Sequence, residues 1–138
     1  MKYLMTLLLL VSCAKEFIIQ ESSSIDNFTC PAIENCLSSL EKDSSPNYIM
    51  PFKMIGASAK ENMDIIEKVI RKIGDFKIER NSEYLKVTND NVHLEFIANG
   101  AKKRIEVRSQ VKKQSFFSYD QGRKQVENIR FNFYQGNY

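Results

Sequence analysis

Four consecutive segments between residues 76 and 112 alternate apolar with polar side chains, and this alternation constrains the fold more than any other feature. A period of two places every second side chain on the same face of a β-strand, so each segment predicts a strand with one apolar face. The dipeptide Asn99-Gly100 is typical of a tight hairpin turn. The segments therefore predict a run of antiparallel strands. Their apolar positions are Phe76, Ile78, Leu85, Val87, Val92, Leu94, Phe96, Ile105, Val107 and Val111.

One helix is predicted on each side of this run. Ser58 and Glu61 have the spacing of a capping box, and Gly74 is a natural stop for the helix that they begin. Ser118 and Gln121 indicate a second capping box, for a closing helix that ends before Gly136. Both helices have an apolar stripe at helical spacing. The stripes are Ala59, Met63, Ile66, Ile70 and Ile73 in the first helix, and Val126, Ile129 and Phe133 in the second.

The order of these elements predicts an α+β fold, a two-layer sandwich in which an antiparallel sheet carries two helices packed on one face. The chain has 138 residues, of which 43% are hydrophobic and 27% charged. These values are typical of one globular domain. Because each strand has a single apolar face, we expect the other face of the sheet to be open to water.

The first residues resemble a bacterial lipoprotein leader. Lys2 precedes the apolar run 4–11, which is too short to span a bilayer and is typical of an export signal. Leu10-Val11-Ser12-Cys13 resembles a lipobox, so residues 1–12 are predicted to be a signal peptide and Cys13 the site of lipid attachment. The alternative is an ordinary secretory signal in which Cys13 has no role.

The leader predicts a lipid-anchored protein of the bacterial cell envelope that faces the periplasm. Ala14, rather than aspartate, follows the modified cysteine, which favours the outer membrane over the inner one. Residues 13–29 show no sustained periodicity and contain a serine triplet, so they are expected to be the lipidated cysteine and a flexible tether. Residues 30–138 are then a single α+β domain.

Cys30 and Cys36 are the two remaining cysteines. Export places them in an oxidising compartment, where a close pair normally forms a disulfide. Two alternatives stay open, a redox-active thiol pair and a metal site. A metal site would need further ligands, and His93 is the only histidine, so no metal and no cofactor is predicted.

The stretch Cys30-Pro31-Ala32-Ile33-Glu34-Asn35-Cys36-Leu37-Ser38-Ser39 resembles the opening signature of the family catalogued as domain of unknown function 1499. The resemblance implies a fold for residues 30–135 and no known reaction. Before the last helix, family members usually carry an Asp-x-Gly-Val-Asn-Arg segment. In this chain only Asp120, Gly122 and Arg123 are similar to it.

Charge is distributed unevenly along the chain. Residues 13–100 contain 10 basic and 14 acidic side chains, a balance of −4, whereas residues 101–138 contain 9 basic and 3 acidic side chains, a balance of +6. Such asymmetry is a weak indication of an anionic ligand or surface. The polar face of the sheet is predicted to carry Lys102, Arg104, Arg108 and Lys112, interrupted by Glu106, together with Tyr84, Lys86, His93 and Glu95.

The sequence favours a non-catalytic envelope lipoprotein, which is attached to the membrane by its lipid and binds an anionic ligand, a lipid head group or an envelope protein through the open sheet face. Arg104 and Arg108 belong to that face, and Arg108, Ser109, Asp120 and Arg123 are candidates to converge on a small anionic ligand. The alternative is a thiol-redox enzyme that uses Cys30 and Cys36. No serine–histidine–acid set or glycine-rich phosphate loop is present, so no catalytic residue is predicted. Nucleic acid is not an expected partner, because the net charge is only +3.

Overall fold

The computed structural model describes residues 15–22, 24–31, 35–114 and 120–138. These residues contain eight β-strands, two α-helices and a short 3-10 helix, Ile25–Asn27. In chain order the elements are β1 (Lys15–Glu16), β2 (Cys36–Ser38), β3 (Phe52–Lys53), α1 (Ala59–Ile73), β4 (Lys77–Arg80), β5 (Tyr84–Thr88), β6 (Val92–Asn99), β7 (Arg104–Val111), β8 (Lys113–Gln114) and α2 (Gln121–Gln135).

The main sheet is antiparallel and has the order β2-β7-β6-β5-β4, with β3 also paired to β7. Strands β4 to β7 are successive hairpins, as the alternating segments predict. The pairing of β6 with β7 sets Glu95 opposite Arg108 and Leu94 opposite Ser109. A separate two-stranded ladder joins β1 to β8, with Lys15 opposite Gln114.

Both helices pack on the same face of the sheet, so the predicted α+β two-layer arrangement is confirmed. Their stripes meet the apolar positions of β5, β6 and β7 in one core. Phe52 lies at the centre of this core, with its ring centroid 5.7 Å from those of Phe96 and Phe133. Among the described residues, no helix is long and apolar enough to cross a membrane.

The capping of α1 follows the sequence. The Ser58 side chain accepts a hydrogen bond from the Glu61 amide at 3.1 Å, and the Glu61 carboxylate accepts one from the Ala57 amide at 2.7 Å. The helix ends at Gly74, as predicted. Helix α2 begins differently: its N-cap is Asp120, in the left-handed conformation (φ 71°), and the Asp120 side chain makes no capping hydrogen bond. The predicted cap Ser118 lies outside the described residues.

The second face of the sheet is buried, so the prediction of an open, solvated face is wrong. Residues 17–22 and 24–28, which we call the strap, lie across it. The Ser22 amide donates to the Glu95 carboxylate at 2.8 Å, and the side chain of Gln110 bonds both the amide and the carbonyl of Gln20 at 3.1 and 2.7 Å. The fully buried carbonyl oxygen of Phe28 accepts from Ser38 Oγ at 2.6 Å. Polar groups on the strap therefore replace water on this face.

The strap also corrects the expectation of a flexible tether for the part of residues 13–29 that the structure describes, 15–22 and 24–29. Its start is fixed by β1, and its end by the disulfide between Cys30 and Cys36, whose Cα atoms are 5.6 Å apart. The expected disulfide is thus confirmed, and Cys36 is fully buried. The predicted signal peptide, residues 1–12, and the lipid site Cys13 lie outside the described residues.

A packed strap and a flexible tether predict different effects of truncating Phe28. Because this side chain is fully buried, Phe28→Ala should lower the free energy of unfolding by about 3 to 5 kcal/mol in urea denaturation. Phe131, whose side chain is 61% exposed, provides the matched control, and Phe131→Ala should change stability by less than about 0.5 kcal/mol. Equal, small effects of the two substitutions would contradict a packed strap.

Candidate functional site

A cavity of 360 Å³ opens where the first turn of α2 meets the ends of β2 and β7. This volume is at the lower end of the range for small-molecule sites. Most of the residues that line the cavity have polar side chains, although apolar atoms contribute the larger part of the wall surface. The lining residues include Asn35, Leu37, Asn47, Ser109, Val111, Gln114, Asp120, Gln121, Gly122 and Arg123.

Three buried polar atoms in these walls have no hydrogen-bond partner in the described part of the chain: Asn35 Oδ1, Ser109 Oγ and Gln114 Oε1. Ser109 is 1% exposed and Asn35 is 6% exposed. Buried polar groups in proteins are almost always hydrogen-bonded, because an unpaired one loses its water without compensation. Three such atoms around one cavity indicate that its natural content is polar.

Asn35 is held in place by the sheet. Its side-chain amide donates to the Val111 carbonyl at 2.5 Å, and its own carbonyl accepts from the Val111 amide at 3.2 Å. These two bonds extend the pairing of β2 with β7 by one position beyond Cys36. They fix the orientation of the side chain and leave Oδ1 as an acceptor in the cavity wall.

Gly122 allows α2 to approach Ser109 closely. A Cβ atom built on Gly122 would lie 2.5 Å from Ser109 Oγ and 3.3 Å from Val111 Cγ2. Any larger residue would therefore push against the cavity wall. The reason for glycine here is space, because its φ is not positive.

The charged groups of the cavity come from the start of α2. Arg123 donates through Nη2 to the carbonyl oxygens of Tyr48, at 3.1 Å, and Pro46, at 3.3 Å, and its Nε lies 3.4 Å from the Asp120 carboxylate. The first amides of a helix have no partner within the helix and carry a partial positive charge. One side of the cavity therefore offers the α2 amides and Arg123, beside the Asp120 carboxylate that pairs with Arg123, and Asn35 and Gln114 offer acceptors on the other.

The structure brings together three of the five residues that the sequence proposed for an anionic ligand. Ser109, Asp120 and Arg123 line the cavity, whereas Arg104 and Arg108 project from the other face of the sheet. Sequence reasoning missed Asn35 and Gln114. Asn35 belongs to the cysteine motif, so the family resemblance could have indicated it. Gln114 lies in no recognisable motif, so nothing in the sequence indicated its role.

Arg104 forms an ion pair with a buried carboxylate of its own strand. Its Nε lies 2.5 Å from the carboxylate of Glu106, which is fully buried. That carboxylate also accepts from Ser39 Oγ at 2.7 Å and from the Asn99 side chain at 3.2 Å. Glu106 is therefore bonded by three neighbours, and Arg104 is held in this internal ion pair through its Nε.

Arg108 belongs to a polar cluster beneath the strap. Its Nη1 donates to the buried carboxylate of Glu95 at 3.2 Å, and Tyr84 Oη donates to the same carboxylate at 2.8 Å. Burial raises the pKa of Glu95 and lowers the pKa of His93, whose Nε2 lies 3.8 Å from that carboxylate. Two further unpartnered atoms, Arg108 Nε and His93 Nε2, occur here, but the strap covers them. The predicted basic face is therefore an internal contact in which Arg108 is paired.

Metal binding has no geometric support in this part of the molecule. Among the described residues, no three histidine, cysteine or acidic side chains are placed to hold a metal ion.

Comparison with known proteins gives a single result. The family model described as "Protein of unknown function (DUF1499)" matches residues 28–133, which include the cysteine motif and every residue that lines the cavity. No curated protein and no solved structure matches the chain.

Two buried serines provide a matched test of the cavity. Ser109→Ala should leave the free energy of unfolding unchanged within about 0.5 kcal/mol, because its hydroxyl has no hydrogen-bond partner among the described residues to lose. Ser39→Ala should cost about 1 to 3 kcal/mol, because Ser39 Oγ bonds both Glu106 and the Val107 amide. Urea denaturation measures both. A large loss in Ser109→Ala would mean that the hydroxyl serves the fold.

The single histidine gives a pH prediction. A lowered pKa in the folded state means that the unfolded chain binds the proton more tightly, so stability should fall as the pH drops below the ordinary histidine value of 6.5. His93→Gln removes this term. The unfolding free energy should therefore decrease less from pH 7 to pH 5 in His93→Gln than in the natural chain, and identical pH profiles would contradict a buried, neutral imidazole.

Proposed function

The chain belongs to the DUF1499 family, whose description carries no activity, and from its own geometry we propose that it is a non-catalytic, lipid-anchored protein of the bacterial cell envelope that binds a small polar ligand at the start of α2. The ligand combines an anionic group, which faces the α2 amides and Arg123, with hydrogen-bond donors, which face Asn35 and Gln114. The predicted role of an open sheet face is replaced by this cavity.

The main support for the proposal is that three buried atoms in the wall of one cavity have no hydrogen-bond partner among the described residues. They are Asn35 Oδ1, Ser109 Oγ and Gln114 Oε1. A complementary ligand can supply hydrogen bonds to these groups when it binds. This gain favours a ligand that donates as well as accepts hydrogen bonds.

Binding is favoured over catalysis by the surroundings of Ser109. The only histidine of the chain, His93, lies on the opposite face of the sheet, under the strap, so it cannot serve as a base for the Ser109 hydroxyl. The thiol-redox alternative is disfavoured because Cys36 is fully buried and bonded to Cys30, whereas redox-active cysteines are accessible to their partners.

The cellular address rests on the leader sequence. The apolar run 4–11 and Leu10-Val11-Ser12-Cys13 support export and lipid attachment at Cys13, and Ala14 supports the outer membrane. Two or more acyl chains on one residue would hold the domain stably at the bilayer surface.

Lipid attachment is tested by metabolic labelling with a fatty acid in a bacterial host. The natural chain should incorporate the label and sediment with membranes. Cys13→Ser should not incorporate the label, and no acylated mature form of it should be found in the membrane fraction. An unlabelled natural chain would overturn the proposed anchor.

Ligand binding is tested by thermal denaturation with sn-glycerol 3-phosphate, which has an anionic group and two hydroxyls. The probe should raise the unfolding temperature of the natural chain, because it binds only the folded state. Gly122→Val, which fills the cavity, should abolish this increase. Gly100→Val is the matched control, since a Cβ at Gly100 meets nothing within 4 Å, and it should keep the increase.

Ser109→Ala provides a second variant in case Gly122→Val does not fold. It should fold normally and show a smaller increase. The same increase in all variants, or none in the natural chain, would contradict a site for this class of ligand.

A further inference from the structure

We infer that the ligand of the cavity is the head group of a phospholipid in the membrane that anchors Cys13, specifically a phosphodiester that bears free hydroxyls, as in phosphatidylglycerol. This inference rests on the proposed function, and it names both the ligand class and its source. It depends on the position of the cavity relative to the anchor.

The chain between the lipid and the folded domain is short. Only one residue, Ala14, separates Cys13 from Lys15, the first residue of β1. A fully extended chain covers at most about 3.6 Å per residue, so the Cα atoms of Cys13 and Lys15 are within about 7 Å of each other. The strap belongs to the predicted tether of residues 13–29, and because it is packed on the sheet it adds no free spacer after Lys15.

Strand β1 lies beside the cavity wall. Lys15 pairs directly with Gln114, whose Oε1 is one of the unpartnered atoms in the cavity wall. Paired Cα atoms in an antiparallel ladder are about 4.5 to 5.5 Å apart. The Cα atom of Gln114 therefore lies within about 13 Å of that of Cys13. The polar region of each leaflet is about 5 to 8 Å thick. A cavity within about 13 Å of the acylated residue is therefore close enough to receive a lipid head group when β1 lies against the membrane.

The surface around β1 and β8 is suited to an anionic bilayer. Its exposed charged side chains are Lys15, Glu16, Lys112 and Lys113, a balance of +2, with Glu16 and Lys113 paired at 3.1 Å. The Phe17 amide donates to the Lys112 carbonyl at 2.7 Å, which fixes the start of the strap beside them. Ile18 follows with its side chain 84% exposed. An apolar tip beside basic side chains is typical of a surface that contacts the interface of an anionic membrane.

The chemistry of the cavity selects among head groups. The α2 amides and Arg123 complement a phosphate. Asn35 Oδ1 and Gln114 Oε1 are acceptors and need donors from the ligand. The hydroxyls of a glycerol head group supply such donors, whereas the quaternary ammonium of phosphatidylcholine has none.

The test uses the full-length acylated protein, reconstituted in vesicles of phosphatidylcholine alone or with half phosphatidylglycerol. The lipid on Cys13 holds the protein at both surfaces, so a difference between them reports the head group. Hydrogen–deuterium exchange at the first-turn amides of α2, Gln121 to Arg123, should be at least fivefold slower with phosphatidylglycerol. Gly100→Val should keep this protection, and Ser109→Ala should lose most of it.

Equal exchange on the two vesicles would overturn the inference. Adding sn-glycerol 3-phosphate to the phosphatidylcholine vesicles separates its failure from that of the proposed function. If the soluble probe slows exchange at these amides and phosphatidylglycerol does not, the cavity takes a soluble ligand and only the membrane source is wrong. If neither slows exchange, both the inference and the proposed function fail.

Discussion

Strand β7 is buried on both faces, and the rest of the structure depends on how its polar side chains are satisfied. On one face Ile105 and Val107 pack beneath the helices; on the other, Glu106, Arg108 and Gln110 are withdrawn from water. A buried charge is tolerated only when it is paired and hydrogen-bonded. Arg104 and Ser39 satisfy Glu106, Glu95 pairs with Arg108, and the strap bonds Gln110 and Glu95. The strap is therefore part of the folded domain, since removing it would take away its hydrogen bonds to Gln110 and Glu95.

Ser109 differs from these side chains because it lies on the opposite face of the strand. Alternation places it on the helix side, among apolar residues, yet its hydroxyl has no partner in the described chain. The approach of Gly122 and the fixed orientation of Asn35 surround this hydroxyl with groups from both ends of the family match. A ligand in the cavity can contribute the hydrogen bond that this hydroxyl lacks among the described residues. The cysteine motif supports this arrangement, because the disulfide fixes Cys36 beside Asn35.

Periodicity predicts what is local and repetitive in this fold. The alternating strands, the cap of α1 at Ser58 and its end at Gly74 follow from residue spacing alone. The strap does not, because residues 17–28 have no period, and the pairing of Lys15 with Gln114 spans 99 positions. A polar strand face cannot distinguish contact with water from contact with a polar segment of the same chain. For this reason periodicity alone does not predict the internal ion pairs of Arg104 and Arg108. Ser109, Asp120 and Arg123 converge because strand and helix register bring them to one cavity.

We propose that the cavity at the start of α2 holds a polar ligand rather than water alone. A high-resolution crystal structure of the protein, purified from its own membrane with no ligand added, should show continuous density for a phosphate-containing molecule within hydrogen-bond distance of Asn35 Oδ1, Ser109 Oγ and Gln114 Oε1. A cavity that contains only ordered waters, with all three atoms bonded to them, would contradict this proposal.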